Sequence, residues 1–234
     1  MPSNVQKNRL LQLLGPEEDA RIGVKLERVR LRKGQVLEEP RLPVQYAHFI
    51  EKGIVAVQAR MNDAGSVGVG LIGSSGMTGV PIVLETMRTP LRSVVQVAGE
   101  SLRISAEDLC ACMRDMRRFR RLMLAYVQAT LVQSAQIALC NSHHSVDQRI
   151  RRWLLVAHTI TGDDEIHVTH RLIAALLGVR RPSVTVRLSE LEAGKAIAQT
   201  RACVRVMDRK ALEDGSCDCH RIINAEFLRL RCFE

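Results

Sequence analysis

The chain has 234 residues, 46% of them hydrophobic and 25% charged, which is enough apolar material for a packed core and excludes a disordered chain. A formal net charge of +9 favours an acidic partner such as nucleic acid, and an aromatic content of only 3% argues against a base-stacking platform for single strands, leaving contact with a duplex backbone. Seven cysteines, with no apolar run behind the N-terminal charges, suit a reduced, cytoplasmic chain without disulfides.

Residues 4–14, NVQKNRLLQLL, predict a short amphipathic helix that stops before Gly15-Pro16, and residues 17–25 a further turn or two. From Leu26 to Ser105 the texture changes to short alternating runs: LERVRL, KGQVL, AHFIEKGIVAVQAR, GSVGVGLIG and SVVQVAGESLRIS. Strand-length runs separated by turn residues predict an antiparallel β-roll, with corners at Gly53 and at Gly73-Ser74-Ser75-Gly76. His48 is the only histidine before residue 143, so the roll has no multi-histidine metal centre and no enzymatic activity is expected.

At Ala106 the chain turns helical. The run from Leu122 to Val146 is uncharged over 25 residues, the length of a membrane span. Gln128, Thr130, Gln133, Ser134, Gln136 and Asn141 would be costly in lipid, so no membrane partner is expected. Leu124, Val127, Leu131, Ala135 and Ala138 follow three- and four-residue steps, which predicts a homodimer seam along residues 122–140. Ser145 and Gln148 form a capping-box pattern, so residues 141–145 read as a hinge, and His143-His144 as a helix terminus. The next helix runs through Trp153 to about Ile160 and ends at Gly162.

The stretch Val168–Glu192 reads as two helices joined at a glycine. Thr169 caps the first, whose inner face carries Leu172, Ile173 and Leu176; Gly178 ends it, and Pro182 opens the second. Val184, Leu188 and Leu191 form an inner face, opposite Arg180, Arg181, Ser183, Thr185 and Arg187. Alternation through Ile197, Val204 and Val206 predicts a hairpin turning near Arg201, with Asp208 starting a helix. A helix-turn-helix followed by a hairpin is a winged helix. From Arg180 to Lys210 there are eight Lys or Arg against three acids, which suits a phosphate-facing surface.

Cys217 and Cys219, with His220 beside them, make a C-x-C-H run, but the C-x-x-C pair of common zinc sites is missing and no second pair lies at zinc-finger distance. Cys110 and Cys112 flank a single residue. No metal site and no cofactor is expected. The chain is therefore α+β: a β-roll over 1–121, a dimerisation helix and hinge over 122–144, and a winged helix-turn-helix DNA-binding domain over 145–234.

This order of parts resembles the Crp/Fnr superfamily of bacterial transcription regulators, most closely in YAHFIEKGIVAV (46–57), SVDQRIRRWLL (145–155) and LIAALLGVRRPSVTVRLSELE (172–192). The resemblance implies a cyclic-nucleotide-binding-like sensor and a homodimer on an inverted-repeat DNA operator, with RNA polymerase a further candidate partner. The family's recognition helix reads bases through an Arg, an acid beside it and a second Arg one turn later. Arg181 matches the first Arg, Pro182 stands at the acid, and Val186, beside Arg187, stands at the second Arg. Arg180, Arg181, Ser183, Thr185 and Arg187 are thus the DNA-binding candidates. Nucleotide-binding members present Gly-Glu-Leu and Arg-Ser to the ligand; here Gly79-Val80 and Arg92-Ser93 occupy those places. Val80 cannot accept ribose hydroxyls, so cyclic nucleotide is not expected, the effector is unassigned, and Gly79, Arg92 and Ser93 are the remaining effector-binding candidates. A competing reading is a ligand-gated scaffold or regulatory subunit whose winged helix binds protein.

Overall fold

The computed structural model describes residues 7–61 and 65–232. In chain order its elements are α1 (Pro16–Gly23), β1 (Glu27–Leu31), β2 (Val36–Glu38), β3 (Tyr46–Met61), β4 (Gly65–Ile72), α2 (Val80–Val83), β5 (Arg92–Ser105), α3 (Ala106–Asp115), α4 (Arg117–His143), α5 (Val146–Thr161), β6 (Glu165–Ile166), α6 (His170–Leu177), α7 (Arg181–Ala193), β7 (Ile197–Thr200), β8 (Cys203–Val206), α8 (Arg209–Asp214) and α9 (Cys219–Arg229).

Part of the expected helix over 4–14 lies outside the described residues, and the rest makes only a 3-10 turn at Leu11–Leu13. Asn8 is the reason. Its side chain accepts from the Leu10 and Leu11 amides and donates to the Ile50 and Gly76 carbonyls, tying this segment to the roll.

The roll is an antiparallel sheet in the order β1-β5-β3-β4, with β2 also paired to β5. The long β5 serves both short strands, pairing with β1 through Gly99–Arg103 and with β2 through Ser93–Val94. Gly53 is not a corner. It lies inside β3, where the register slips on either side of it, and its φ of 97° together with the 2.5 Å a Cβ would leave to the Val97 carbonyl demands glycine. The strand bends there instead of reversing. Leu31, Ile50, Val55, Ile72 and Val95 fill the roll's interior.

The helix α4 begins at Arg117, ahead of the uncharged stretch. Its length, and a mean hydropathy of 1.3 over its most apolar 18 residues, match a membrane span, but one face is spent on the protein. The Tyr126 hydroxyl donates to the Met77 carbonyl at 2.8 Å and accepts from the Met77 amide at 3.0 Å. Gln133 clamps Leu71 of β4 with both ends of its amide, at 3.1 and 3.3 Å. Val127 belongs to this inner face, only 7% exposed, and not to an outer seam. A helix has room for both faces: Leu124, Leu131 and Leu139 point outward at 38%, 61% and 47% exposure, with Ala135 and Ala138 exposed between them.

Beyond α4 the chain breaks only at His144 and Ser145, and the Ser145–Gln148 capping box restarts it as α5. The C-terminal core gathers Trp153, Leu154, Ile173, Leu177, Val184, Leu188 and Leu191 under the three-stranded sheet β6-β8-β7. The two-residue strand β6 gave no sequence signal and adds an edge to the expected hairpin.

Candidate nucleic-acid interface

Local chemistry builds the helix-turn-helix. Thr169 Oγ1 accepts from the Leu172 amide and starts α6. Gly178 ends it at φ 62°, a left-handed residue that turns the chain toward α7. Pro182 sits in the first turn of α7, where a missing N–H costs nothing. Val184, Leu188 and Leu191 are buried as expected; Ile173 and Leu176 are also buried, while Leu172 is half-buried.

All five expected DNA-facing residues are exposed: Arg180, Arg181, Ser183, Thr185 and Arg187. They are not equivalent. Arg187 pairs with Glu190 at 2.6 Å, and Thr185 Oγ1 contacts His170 Nδ1 at 3.0 Å and donates to the Arg181 carbonyl at 3.2 Å. Arg180 and Arg181 have no side-chain partner among the described residues. They stand at the positive end of the α7 dipole, where cations are disfavoured until an anion arrives.

A polar chain missed in the sequence fixes the wing to this face. His170 Nε2 meets Gln199 Oε1 of β7 at 2.8 Å, and Glu192 of α7 accepts from the Gln199 amide nitrogens at 2.6 and 2.9 Å. The β7–β8 loop is Arg201-Ala202, with Ala202 left-handed at φ 62°.

Residues 148–214 match the family model of the Crp-like helix-turn-helix domain. The chain is similar in fold to FixK2 from Bradyrhizobium japonicum, with a TM-score of 0.68 at 13% identity over 82% of this chain and 98% of that one. It is similar also to the c-di-GMP responsive global regulator CLP of Xanthomonas campestris, at TM-score 0.66 and 18% identity over 82% and 99%. A Crp/Fnr-family structure from Eubacterium rectale gives 0.67 and 17% over 91% and 98%. No curated protein matches the chain in sequence. The chain carries a Crp-like helix-turn-helix domain on a Crp/Fnr fold.

In this Crp/Fnr fold the effector candidates Gly79, Arg92 and Ser93 do come together, but around the chain's own carboxylates. Glu38 accepts from the Gly79 amide at 2.7 Å and from the Ser93 hydroxyl, and Arg92 Nε donates to Glu39 at 3.2 Å. Glu38 is only 7% exposed, and burial raises its pKa despite those two donors. Val80 opens the apolar turn α2, with Pro81, Ile82 and Val83 buried. Nearby His48 contacts Ser101 Oγ at 3.1 Å; burial first, then Arg103, lowers its pKa to about 4. Nothing local in the sequence marks Glu38 as the group that fills this corner.

The fold also brings the cysteines together in a way their spacing does not show. The pair that Cys217 and Cys219 lacked in sequence comes from the end of α4, as Cys140 and His144. His220, the sequence neighbour, instead points its Nδ1 at the Cys217 carbonyl, 3.2 Å away. Cys140 and His144 lie about a whole domain away along the chain, so no spacing rule could have joined the two pairs. Cys112 is buried in the core beneath the roll, with half-buried Cys110 against it.

Proposed function

We propose that this protein is a sequence-specific, dimeric, DNA-binding transcription regulator, without enzymatic activity, acting in the cytoplasm. The observation that carries the reading is the outer face of α7: a buried Val184-Leu188-Leu191 stripe behind, and the exposed, unpaired Arg180 and Arg181 in front. Arg181 suits a guanine edge, which offers two acceptors to a guanidinium. Val186, 52% exposed where relatives place an Arg, suits a thymine methyl. Ser183, Thr185 and Arg187 suit phosphates or base edges, and the wing adds basic Arg201 and Arg205.

The exposed Leu124, Leu131 and Leu139 stripe on α4 supports a homodimer through this helix, placing one α7 on each half of an inverted repeat about one helical turn apart. RNA polymerase would be a partner of the DNA-bound dimer. The roll is the sensing unit, and the closed Glu38 corner supports an effector other than cyclic nucleotide. Its β4 strand touches both α4, through Gln133, and the turn after α6, where Val67 packs on Gly178. A shift in the roll therefore reaches both the dimer helix and the DNA-facing unit.

Selection of random duplexes by the full chain tests the reading. An enriched inverted repeat, with log affinity falling by about 0.9 per phosphate against log salt, is the expected result. Replacing Arg181 by Ala should cost about 1–3 kcal/mol and relax one operator position. No binding at low salt, alone or in cell extract, would move the reading to a protein-binding scaffold.

A further inference from the structure

Where α4 ends, side chains from two distant segments converge. Cys140 lies in the last turn of α4 and His144 caps it; Cys219 opens α9, and Cys217 lies in the loop just ahead of it. The four ligand atoms all lie within 4.8 Å of one another. Cys140 Sγ is 3.7 Å from Cys217 Sγ, and Cys219 Sγ is 3.6 Å from His144 Nδ1. A tetrahedral zinc ion, with Zn–S of about 2.3 Å and Zn–N of about 2.0–2.1 Å, has S···S edges of about 3.8 Å and S···N edges of about 3.6 Å. The two edges coincide with those lengths. From these contacts we propose that Cys140, His144, Cys217 and Cys219 form a Cys3His site for one thiophilic divalent ion of the zinc class.

The neighbourhood supports the charge this site would carry. Arg152 is 3% exposed, its Nε has no hydrogen-bond partner, and its charge acts on Cys140 and Cys219. No carboxylate pairs with this buried guanidinium among the described residues, and an unpaired buried cation is costly. On metal binding three S–H bonds break, three metal–sulfur bonds and one metal–nitrogen bond form, and three protons leave to solvent. No electron is transferred. The product of a divalent ion, three thiolates and a neutral imidazole carries one negative charge, which Arg152 balances.

Alternatives fit the geometry less well. A multi-iron cluster spreads its cysteines over different irons, wider than a single-ion tetrahedron. A hard cation calls for oxygen ligands. A Cys140–Cys217 disulfide would leave Cys219 and His144 unexplained. A surface cleft of about 410 Å³ lined by His144, Cys217 and Cys219 gives an ion its way in.

The site would bolt the start of α9 to the hinge at His144–Ser145, fixing how α5 and the DNA-facing unit leave α4. That consequence rests on the DNA-binding reading; the site itself does not.

The test uses the full chain, purified without a histidine tag under reducing conditions. Elemental analysis should find one zinc per chain. Co2+ put in its place should show thiolate charge-transfer and tetrahedral ligand-field bands. His144→Ala changes a half-buried residue and is the variant most apt to stay folded. It and Cys219→Ser should each weaken Co2+ binding by roughly 100-fold or more, beyond the ~10–100-fold cost of losing an outer partner. Cys203→Ser and Cys232→Ser should leave Co2+ binding unchanged, with circular dichroism confirming the fold throughout. The proposal is overturned by substoichiometric zinc with no Co2+ charge-transfer band in the reduced chain. It is equally overturned by full loading of the His144→Ala/Cys219→Ser double variant. A Cys140–Cys217 disulfide in protein alkylated directly from cells would replace the site with a redox pair. These readouts do not involve DNA, so loss of operator binding with metal retained counts against the function alone.

Discussion

Two corners of the molecule carry arginines next to hydroxyls, and they have been treated oppositely. At Arg92-Ser93 in the roll the donors are satisfied within the chain: buried Glu38 takes the Gly79 amide and the Ser93 hydroxyl, and Glu39 takes Arg92 in a half-exposed pair. At Arg180-Arg181 on α7 the guanidinium groups are exposed and have no partner among the described residues. The first corner already holds its anion, built into the chain. The second gathers positive charge at a helix N-terminus with nothing to neutralise it. A small anionic ligand would have to displace a buried carboxylate from the roll, whereas a phosphate backbone meets no competitor on α7. On a Crp/Fnr fold, this contrast directs attention away from cyclic nucleotides and toward DNA.

The sharpest way to break the contrast is to empty the open corner. The Arg180→Ala/Arg181→Ala double variant should lose about 3 kcal/mol of operator affinity, roughly a hundredfold or more, and should flatten the salt dependence by one or two phosphate contacts. Thermal stability should hardly change, since both residues are exposed. Wild-type affinity in this variant would mean that α7 does not read the operator.

The closed corner should betray itself in acid. His48 is held neutral by burial, with its pKa lowered to about 4 from 6.5. The unfolded chain therefore binds a proton that the folded chain refuses. Stability is intact above pH 6.5 and falls as pH drops toward 4, by about 3 kcal/mol at the limit. Glu38, with its pKa raised by burial, acts in the opposite sense, because the folded chain takes up its proton first. Comparing wild type with His48→Gln cancels that contribution. Urea midpoints of the variant should lose the decline between pH 6.5 and 4, and a parallel decline would show that His48 is not the titrating group.

Removing the internal anion comes next in size. Glu38→Ala strands the Gly79 amide and the Ser93 hydroxyl and should cost about 2 kcal/mol. Glu38→Gln keeps an acceptor for Gly79 and avoids a buried charge, so it should cost less than half as much. Calorimetry with cyclic AMP or cyclic GMP should give no heat with the wild type; saturable binding would show that the carboxylate yields.

What the sequence revealed follows how far each cause reaches along the chain. Thr169, Gly178 and Pro182 act on neighbours within a turn, so α6 and α7 were readable almost residue by residue. Strand alternation marked β1 to β5 for the same reason. The errors arose where a distant partner decides. Asn8 stays out of a helix because Ile50 and Gly76 claim its side chain. Gly53 is a bulge because Val97 crosses it. Val127 looks like a seam residue until the roll packs on α4 and buries it. Glu38 and the Cys140–Cys217 contact exist only once β2 meets β5 and α9 meets α4, and no local pattern announces either.

The smallest expected effect belongs to the wing, the flank of the open corner. Ala202 holds φ 62° in the two-residue β7–β8 loop, a left-handed conformation that costs an L-residue about 1–2 kcal/mol. Ala202→Gly removes that strain but gives the unfolded chain more freedom, worth about 0.5–1 kcal/mol in the other direction. The net should be a gain of about 0.5 kcal/mol, or about 1–2 °C in melting temperature for a chain of this size. Operator preference should not change, because the loop's backbone keeps its path and Arg201 its place. A loss of stability would mean that Ala202 is not left-handed, and that the wing does not stand beside α7 as the His170–Gln199–Glu192 chain requires.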